Sequence, residues 1–351
     1  MVNIRVHLLV LLLLTLAGCE SIPREFVLHG ATSVPRIWPG LPEVPRYRYL
    51  GDLIGESNFR AAGEERRVTA SRVLRWLVGL DSLHPDTLRL VRPQAGLVDA
   101  AGRILVTDAG LQGVVVFDTL QHTVDIWQTA DGGQPLVAPI GISLGTDGLV
   151  YVADSELGAV VRLQQDGSPA GVIRHVSLER PTGVAWDEHR NRLFVADTKA
   201  HDIKVFDAGG NLIRVVGERG SSPGQFNAPT HLDLHHDTLF ITDTLNARVQ
   251  AMDLDSGAFR SIGSRGLYVG NLTHPKGVCA DDDGNVYIVE SYYDHLLVFS
   301  NEGRYLLPIG GSGSGPGQFF LPAGVWMDAG NRLFVADMFN SRVSVFQFLG
   351  G

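Results

Sequence analysis

The sequence predicts an all-β fold: a six-bladed β-propeller of four-stranded blades, with the last blade closed by an N-terminal strand and one short helical insertion. Three observations support this prediction. A unit of about 46 residues recurs six times. Each unit alternates apolar and polar residues between turn signals, and the sixth unit stops before its fourth strand. Four-stranded units of this period are typical of propellers, because each blade buries its apolar faces against its neighbours.

Composition agrees with a closed body rich in turns. The 351 residues include 41 glycines and 17 prolines, which mark frequent turns. The net charge is -9, and the chain has no run of basic residues. Because phosphate binding depends on clustered Lys and Arg, we expect no nucleic-acid partner. We expect a monomeric propeller.

Residues 1–18 have the pattern of a signal peptide. Arg5 precedes an apolar stretch, Val6 to Leu16, that is too short to span a bilayer comfortably. Leu16-Ala17-Gly18-Cys19 resembles the bacterial lipobox, and the resemblance implies that Cys19 is lipidated and becomes the mature N-terminus. Glu20 is not the Asp of an inner-membrane retention signal, so we expect a cell-envelope protein anchored by lipid, with the outer membrane favoured. The alternative is a plain signal peptide followed by an incidental cysteine.

Two segments lie outside the repeats. Residues 19–45 hold the lipidated Cys19 and a Pro-rich tether, expected to be an extended spacer. Residues 60–92 form the insertion, in which 64–80 has the apolar spacing of an amphipathic helix. This helix either packs on the edge of the propeller or binds a partner or a membrane surface.

The second strand of each unit ends in an acidic residue. These residues are Asp108, Asp154, Asp197, Asp243, Glu290 and Asp337. A third apolar alternation follows each acid after a short turn, and a fourth strand completes the first five units. Since Asp accepts hydrogen bonds from nearby backbone N–H groups, we interpret the acids as structural. We expect Arg248 and Arg342 to bridge neighbouring turns.

The sixth unit lacks its fourth strand, because the chain runs out after Phe346-Gln347-Phe348. Residues 47–55, followed by Phe59, resemble the fourth-strand segment 305–310 and its trailing Phe319. We therefore expect residues 46–59 to supply the closing strand of the sixth blade, which removes an open sheet edge.

The repeats resemble the NHL family. Residues 243–249 (Asp-Thr-Leu-Asn-Ala-Arg-Val) and 337–343 (Asp-Met-Phe-Asn-Ser-Arg-Val) are close to its signature, and the other units are looser. The resemblance covers residues 93–351 and implies the propeller architecture.

The predicted channel is the first place to look for a ligand site. The third residue of each Pro-x-Gly element starts a channel-lining strand. These positions hold Gly96, Gly141, Gly183, His231, Gly277 and Gly324. The peptidyl-hydroxyglycine amidating lyases resemble NHL propellers, and this resemblance implies zinc-binding histidines at three such positions. This chain has a histidine at one of them, His231.

We therefore predict no metal, no cofactor and no catalytic residue, with His231 as a channel-facing polar group. His235 and His236 lie in the following turn, and Asp281-Asp282-Asp283 is interpreted as a solvated hairpin because it lacks the spacing of a calcium loop. Cys279 is expected to be a buried, unpaired small hydrophobe.

The predicted function is a binding scaffold without chemistry of its own, presenting a propeller face to a protein or small envelope ligand. The sequence has no nucleophile elbow and no phosphate loop. The alternative is a metal-dependent hydrolase or lyase that works in the channel.

Overall fold

The computed structural model describes residues 24–61, 88–145 and 148–350. The predicted signal peptide, Cys19 and the helix expected over 64–80 lie outside these residues. The chain divides into two compact units, one made of Met1–Val27 and Phe59–Pro85 and the other of Leu28–Asn58 and Asp86–Gly351. Within the described residues, no helix has the length and apolar character needed to cross a membrane.

The first unit contains, among its described residues, an antiparallel pair of short strands. These are β1 (Arg24–Phe26) and β4 (Phe59–Ala61), with Phe26 opposite Phe59. The second unit is the propeller.

The propeller consists of six antiparallel sheets, and in the first five blades the strands follow one another along the chain. The first blade contains β5 (Pro93–Val98), β6 (Ile104–Asp108), β7 (Gly113–Asp118) and β8 (Thr123–Trp127). The second contains β9 (Pro139–Leu144), β10 (Val150–Asp154), β11 (Ala159–Leu163) and β12 (Pro169–Ile173). The third contains β13 (Pro181–Asp187), β14 (Arg192–Asp197), β15 (Asp202–Asp207) and β16 (Leu212–Val216).

The remaining blades follow the same plan until the last one. The fourth contains β17 (Pro229–His235), β18 (Thr238–Asp243), β19 (Arg248–Asp253) and β20 (Phe259–Ile262). The fifth contains β21 (Pro275–Ala280), β22 (Asn285–Glu290), β23 (His295–Ser300) and β24 (Tyr305–Gly310). The sixth contains β25 (Val325–Met327), β26 (Arg332–Asp337) and β27 (Arg342–Phe348), joined by β3 (Tyr47–Leu53) and β2 (Ile37–Trp38).

The apolar cores lie between blades. One cluster joins Leu105 and Val116 of the first blade to Val152 and Val161 of the second. Corresponding clusters join the second blade to the third, the third to the fourth, the fourth to the fifth and the fifth to the sixth. The second strands are buried along both faces because a neighbour covers each side, as β10 shows at all five of its residues. This explains why apolar residues run almost without a break there.

The N-terminal strand closes the sixth blade, as predicted. Strand β3 pairs antiparallel with β27, from Leu53 opposite Val343 to Tyr47 opposite Phe348. The tyrosines of β3 enter the core between the last two blades. Ring closure therefore joins the two ends of the second unit.

Two details of the N-terminal region differ from the sequence prediction. The closing strand ends at Leu53, and Phe59 begins β4 instead of trailing the blade. In addition, β2 pairs with β3 as a fifth strand of the sixth blade. Part of the segment expected to be a spacer therefore packs on the propeller, because the outer edge of β3 still offered free backbone groups.

The six repeated acids are structural, as predicted. Each accepts a 2.7 Å hydrogen bond from a backbone N–H in the segment that leads into the first strand of its own blade. The donors are Val91, Val137, Glu179, Asn227, Thr273 and Phe320. All six acids are buried. Each carboxylate thus fixes the start of an innermost strand to the end of the adjacent second strand.

Candidate functional site: the central channel

The innermost strands enclose a central channel. Strands β5, β9, β13, β17, β21 and β25 contact one another in this order, and β25 contacts β5. The cavity they line has a volume of about 300 Å³. We call the end at which these strands begin the entry mouth, and the end at which they reach their hairpin turns the far end. All six strand-start positions singled out in the sequence line the cavity or adjoin its lining.

The glycines at these positions allow neighbouring blades to approach closely. A Cβ on Gly141 would lie 2.3 Å from the carbonyl oxygen of Thr182, and one on Gly277 would lie 2.7 Å from Cα of Gly324. Side chains cannot be accommodated at such distances. Packing therefore requires glycine at positions 141 and 277.

The first blade departs from the sequence assignment. We call the strand position that contacts the next blade in this way the ring position. A Cβ on Gly324 would lie 2.9 Å from Cα of Ala95, so Ala95 holds the ring position in the first blade. The strand register agrees, because Gly96 lies opposite Val106, as Ile142 lies opposite Val152 one residue after its ring glycine. Gly96 lines the channel, as predicted, but its Pro-x-x-Gly spacing puts it one residue after the position that contacts the neighbouring blade.

His231 occupies the ring position of the fourth blade. Its side chain is 7% exposed, and its Nε2 atom has no hydrogen-bond partner among the described residues. Burial, with a smaller effect from the positive charge of Lys276, lowers the pKa of His231 to about 3. The imidazole is therefore neutral at physiological pH.

A chain of hydrogen bonds fixes which nitrogen of His231 carries the proton. The carbonyl oxygen of Pro275 can only accept, so the Thr244 hydroxyl donates to it at 3.0 Å. Thr230 Oγ1 must then donate to Thr244 Oγ1 at 2.7 Å, and His231 Nδ1–H must donate to Thr230 Oγ1 at 3.0 Å. The proton of the neutral ring is thus on Nδ1, and Nε2 has a free lone pair.

Three further groups on the cavity wall or at its mouth escaped the sequence analysis. The Nε1–H of Trp326 is buried without a partner among the described residues. Asp233 accepts a 3.0 Å hydrogen bond from Ala280 N, and burial raises its pKa to about 7. The His231-x-Asp233 spacing places both side chains on one face of β17, a period-two signal that could have identified Asp233.

The third group, Lys276, places a positive charge at the entry mouth. It follows the first residue of β21. Burial lowers the pKa of Lys276, and the positive charge of Arg180 lowers it further. Among the described residues, no carboxylate shifts the pKa of Lys276 or of His231. Arg180 itself forms an ion pair with Glu156, with Nη2 and Oε1 3.2 Å apart, so the mouth holds charges of both signs.

Exposed apolar side chains lie on the same face, two residues after the buried acids of the last three blades. We call Leu245, Tyr292 and Phe339 the apolar half-ring; they are 48%, 64% and 55% exposed. Phe320, also exposed, lies against Phe339 with ring centroids 5.5 Å apart. The corresponding residues of the first three blades are Gly110, Glu156 and Lys199. At this position of the repeat, apolar side chains thus occur in the last three blades.

Two other sequence predictions concern single residues. Cys279 is a buried, free cysteine, as expected, and burial raises its pKa well above the ordinary value. Arg248 donates to Asp243 Oδ2 at 2.8 Å and to the carbonyl oxygens of Ser222 and Gln225, so it bridges turns as predicted.

Known proteins contain repeats similar to those of this chain. A family model described as a 6-bladed beta-propeller matches residues 180–267 and 271–351. NHL repeat-containing protein 2 of Bos taurus is 38% identical over an alignment of 92 residues, and the match covers 20% of this chain and 13% of that protein. The match therefore spans a small part of the curated relative.

Solved structures show the same fold at low sequence identity. An auxiliary nutrient binding protein from Bacteroides thetaiotaomicron has a TM-score of 0.60 at 10% identity, over 76% of this chain and 71% of that one. Virginiamycin B lyase from Staphylococcus aureus has a TM-score of 0.55 at 15% identity, over 75% of this chain and 98% of that one. These neighbours include a protein named for binding and an enzyme, so the fold leaves both functional classes open.

Proposed function

We propose that this NHL-repeat six-bladed β-propeller is a cell-envelope binding scaffold, lipid-anchored at Cys19, that holds a protein partner at its entry mouth. The observation that carries the proposal is the apolar half-ring on the face where Lys276 and the unpartnered His231 Nε2 adjoin the channel opening. Exposed aromatic residues grouped around a polar pocket are typical of protein interaction sites.

The chemistry of the mouth defines the partner. The half-ring offers apolar contact area on three consecutive blades, and Tyr292 and Phe339 are the kind of side chains that contribute most at interfaces. Lys276 favours a carboxylate at the opening, supplied by an acidic side chain or a chain terminus. We expect the partner to present an apolar surface next to such a carboxylate.

The unpartnered groups of the channel support binding at this face. His231 Nε2 can accept a hydrogen bond and Trp326 Nε1–H can donate one. A buried polar group without a partner lowers the free energy of unfolding, so a bound ligand that pairs with it is favoured. A group of the partner that enters the mouth can satisfy His231, because the ring position lies near the start of β17.

Co-purification from detergent-solubilised envelopes tests the proposal. We expect the tagged full chain to capture a specific partner, and we expect the Tyr292→Ser/Phe339→Ser double variant and Lys276→Gln to lose it. Leu120→Ser is the matched control, because Leu120 is an equally exposed apolar residue in the outer turn of the first blade. Equal capture by all four proteins, or no specific capture by the wild type, would contradict the proposal.

The anchor has a separate test. Cys19→Ser should abolish globomycin-sensitive processing and release the protein from the membrane fraction. Retention of the variant on membranes would show that another element anchors the chain.

A further inference from the structure

The geometry points to a binding site for a divalent transition metal ion at the far end of the channel, formed by His235, His236 and Asp282. This site is separate from the proposed partner surface. His235 ends β17, whereas His231 lies near its start; four residues of extended strand put the two about 13 Å apart.

Two neighbouring hairpin turns bring the three residues together. His235 and His236 belong to the turn between β17 and β18, and Asp282 belongs to the turn between β21 and β22. Adjacent residues of a strand point to opposite faces, but His236 has a φ of 50°, which turns its side chain to the side of His235. The two imidazole centroids are 4.3 Å apart.

The distances suit coordination. The Nε2 atoms of His235 and His236 each lie 3.2 Å from Asp282 Oδ1, and the three candidate ligand atoms all lie within 4.8 Å of one another. Ligands about 2 Å from a tetrahedral zinc ion are about 3.3 Å apart. A metal ion can therefore be accommodated with small side-chain rotations.

The chemistry of the ligands selects the class of metal. An imidazole binds a metal ion through the lone pair of one ring nitrogen, and the Nε2 atoms of His235 and His236 both face Asp282 Oδ1. Two imidazoles and one carboxylate favour zinc and the late first-row metals over calcium and magnesium. Three protein ligands leave a coordination position for water or a ligand.

The two acids of the β21–β22 turn have different roles. Asp281 is buried and accepts hydrogen bonds from Asn285 N at 2.7 Å and from the Tyr287 hydroxyl at 2.7 Å, so it fixes the turn. The side chain of Asp282 is 85% exposed and contacts the two histidines. The sequence interpretation of a solvated hairpin therefore fits the exposed Asp282 and not the buried Asp281, and it did not include the contact of Asp282 with the two histidines.

Zinc titration of the tag-free full chain in detergent tests the site, with isothermal calorimetry and the visible spectrum of the Co²⁺ form as readouts. We expect one equivalent of Zn²⁺ to bind with micromolar or tighter affinity and Co²⁺ to give a four- or five-coordinate absorption band. His236→Ala and Asp282→Asn should each weaken binding at least tenfold. Both residues are exposed, so the fold should tolerate these changes.

His189→Ala is the matched control, because His189 is an exposed histidine in the corresponding turn of the third blade. It should bind Zn²⁺ like the wild type. Absence of stoichiometric binding by the wild type, unchanged affinity in Asp282→Asn, or an equal loss in His189→Ala would overturn the inference. None of these results depends on the partner proposed for the entry mouth.

Discussion

Arg342 Nη1 donates to Asp52 Oδ2 at 3.0 Å, joining the last strand of the propeller to the N-terminal strand that closes it. The same guanidinium donates to Asp337 Oδ2 at 2.8 Å, and Ser344 Oγ donates to Asp52 Oδ1 at 2.8 Å. All of these side chains are buried. In the fourth blade, Arg248 makes the equivalent bond to Asp243, but the bond to Asp52 belongs to the sixth blade. The arginine of a repeated motif has thus acquired a role in ring closure.

Asp52→Ala should therefore destabilise the propeller strongly. Removing one partner of a buried ion pair leaves the other without compensation, and we expect a loss of about 2–4 kcal/mol, because Arg342 keeps its bond to Asp337. Thermal unfolding followed by circular dichroism measures the change. Glu43→Ala is the control, since Glu43 is an exposed acid in the same N-terminal region. An Asp52→Ala melting temperature equal to that of Glu43→Ala would contradict the closure model.

The glycine ring gives a second prediction. Gly141→Ala should destabilise the protein by about 1–3 kcal/mol, because its Cβ would lie 2.3 Å from a backbone oxygen and the second and third blades must separate to admit it. Denaturant unfolding measures the effect. In Gly40→Ala the new Cβ meets no atom within 4 Å, so this variant should unfold like the wild type. Equal stability of both variants would show that the blades can separate at no cost.

Asp233 predicts a pH dependence. The pKa of Asp233 is about 7 in the folded chain, above its ordinary value of 3.8. At a pH between these two values, Asp233 is protonated in the folded chain and ionised in the unfolded chain. The contribution of Asp233 to the free energy of unfolding therefore falls as the pH rises from about 4 to about 7. Asp233→Asn keeps the acceptor for Ala280 N and removes the ionisation.

We expect Asp233→Asn to raise the melting temperature by about 2 °C or more at pH 8, and by less at pH 4. Differential scanning calorimetry at both pH values measures this, with Asp283→Asn as an exposed control. A stabilisation that is the same at both pH values would argue against a raised pKa.

His231 allows a direct test of the hydrogen-bond chain. Because its pKa is about 3, we expect nitrogen NMR to show a neutral Nδ1–H imidazole with no titration between pH 5 and 9. Thr244→Val removes the hydroxyl that donates to Pro275 O, so Thr230 becomes free to donate to His231 and the Nε2–H form should appear. An Nε2–H imidazole in the wild type would refute the assignment.

The sequence by itself determined the blades. The blades depend on patterns among residues that are close in the chain: strand alternation, hairpin turns and the acid at the end of each second strand. Because these patterns recur at a fixed period, each repeat supports the interpretation of the others. The missing fourth strand of the last unit and its likeness to residues 47–55 were enough to predict ring closure. His231 was also visible, as the exception among the glycines.

Only the tertiary structure decided what lies between the blades. It brought Asp282 to His235 and His236, which are 47 and 46 residues away along the chain. It also put Ala95 in place of Gly96 at the ring position of the first blade and placed Lys276 near His231. The physical reason is that side chains of neighbouring blades meet according to strand register and turn conformation. A single positive φ at His236 or a shift of one residue in β5 changes which atoms face each other, and alternation of apolar residues does not encode it.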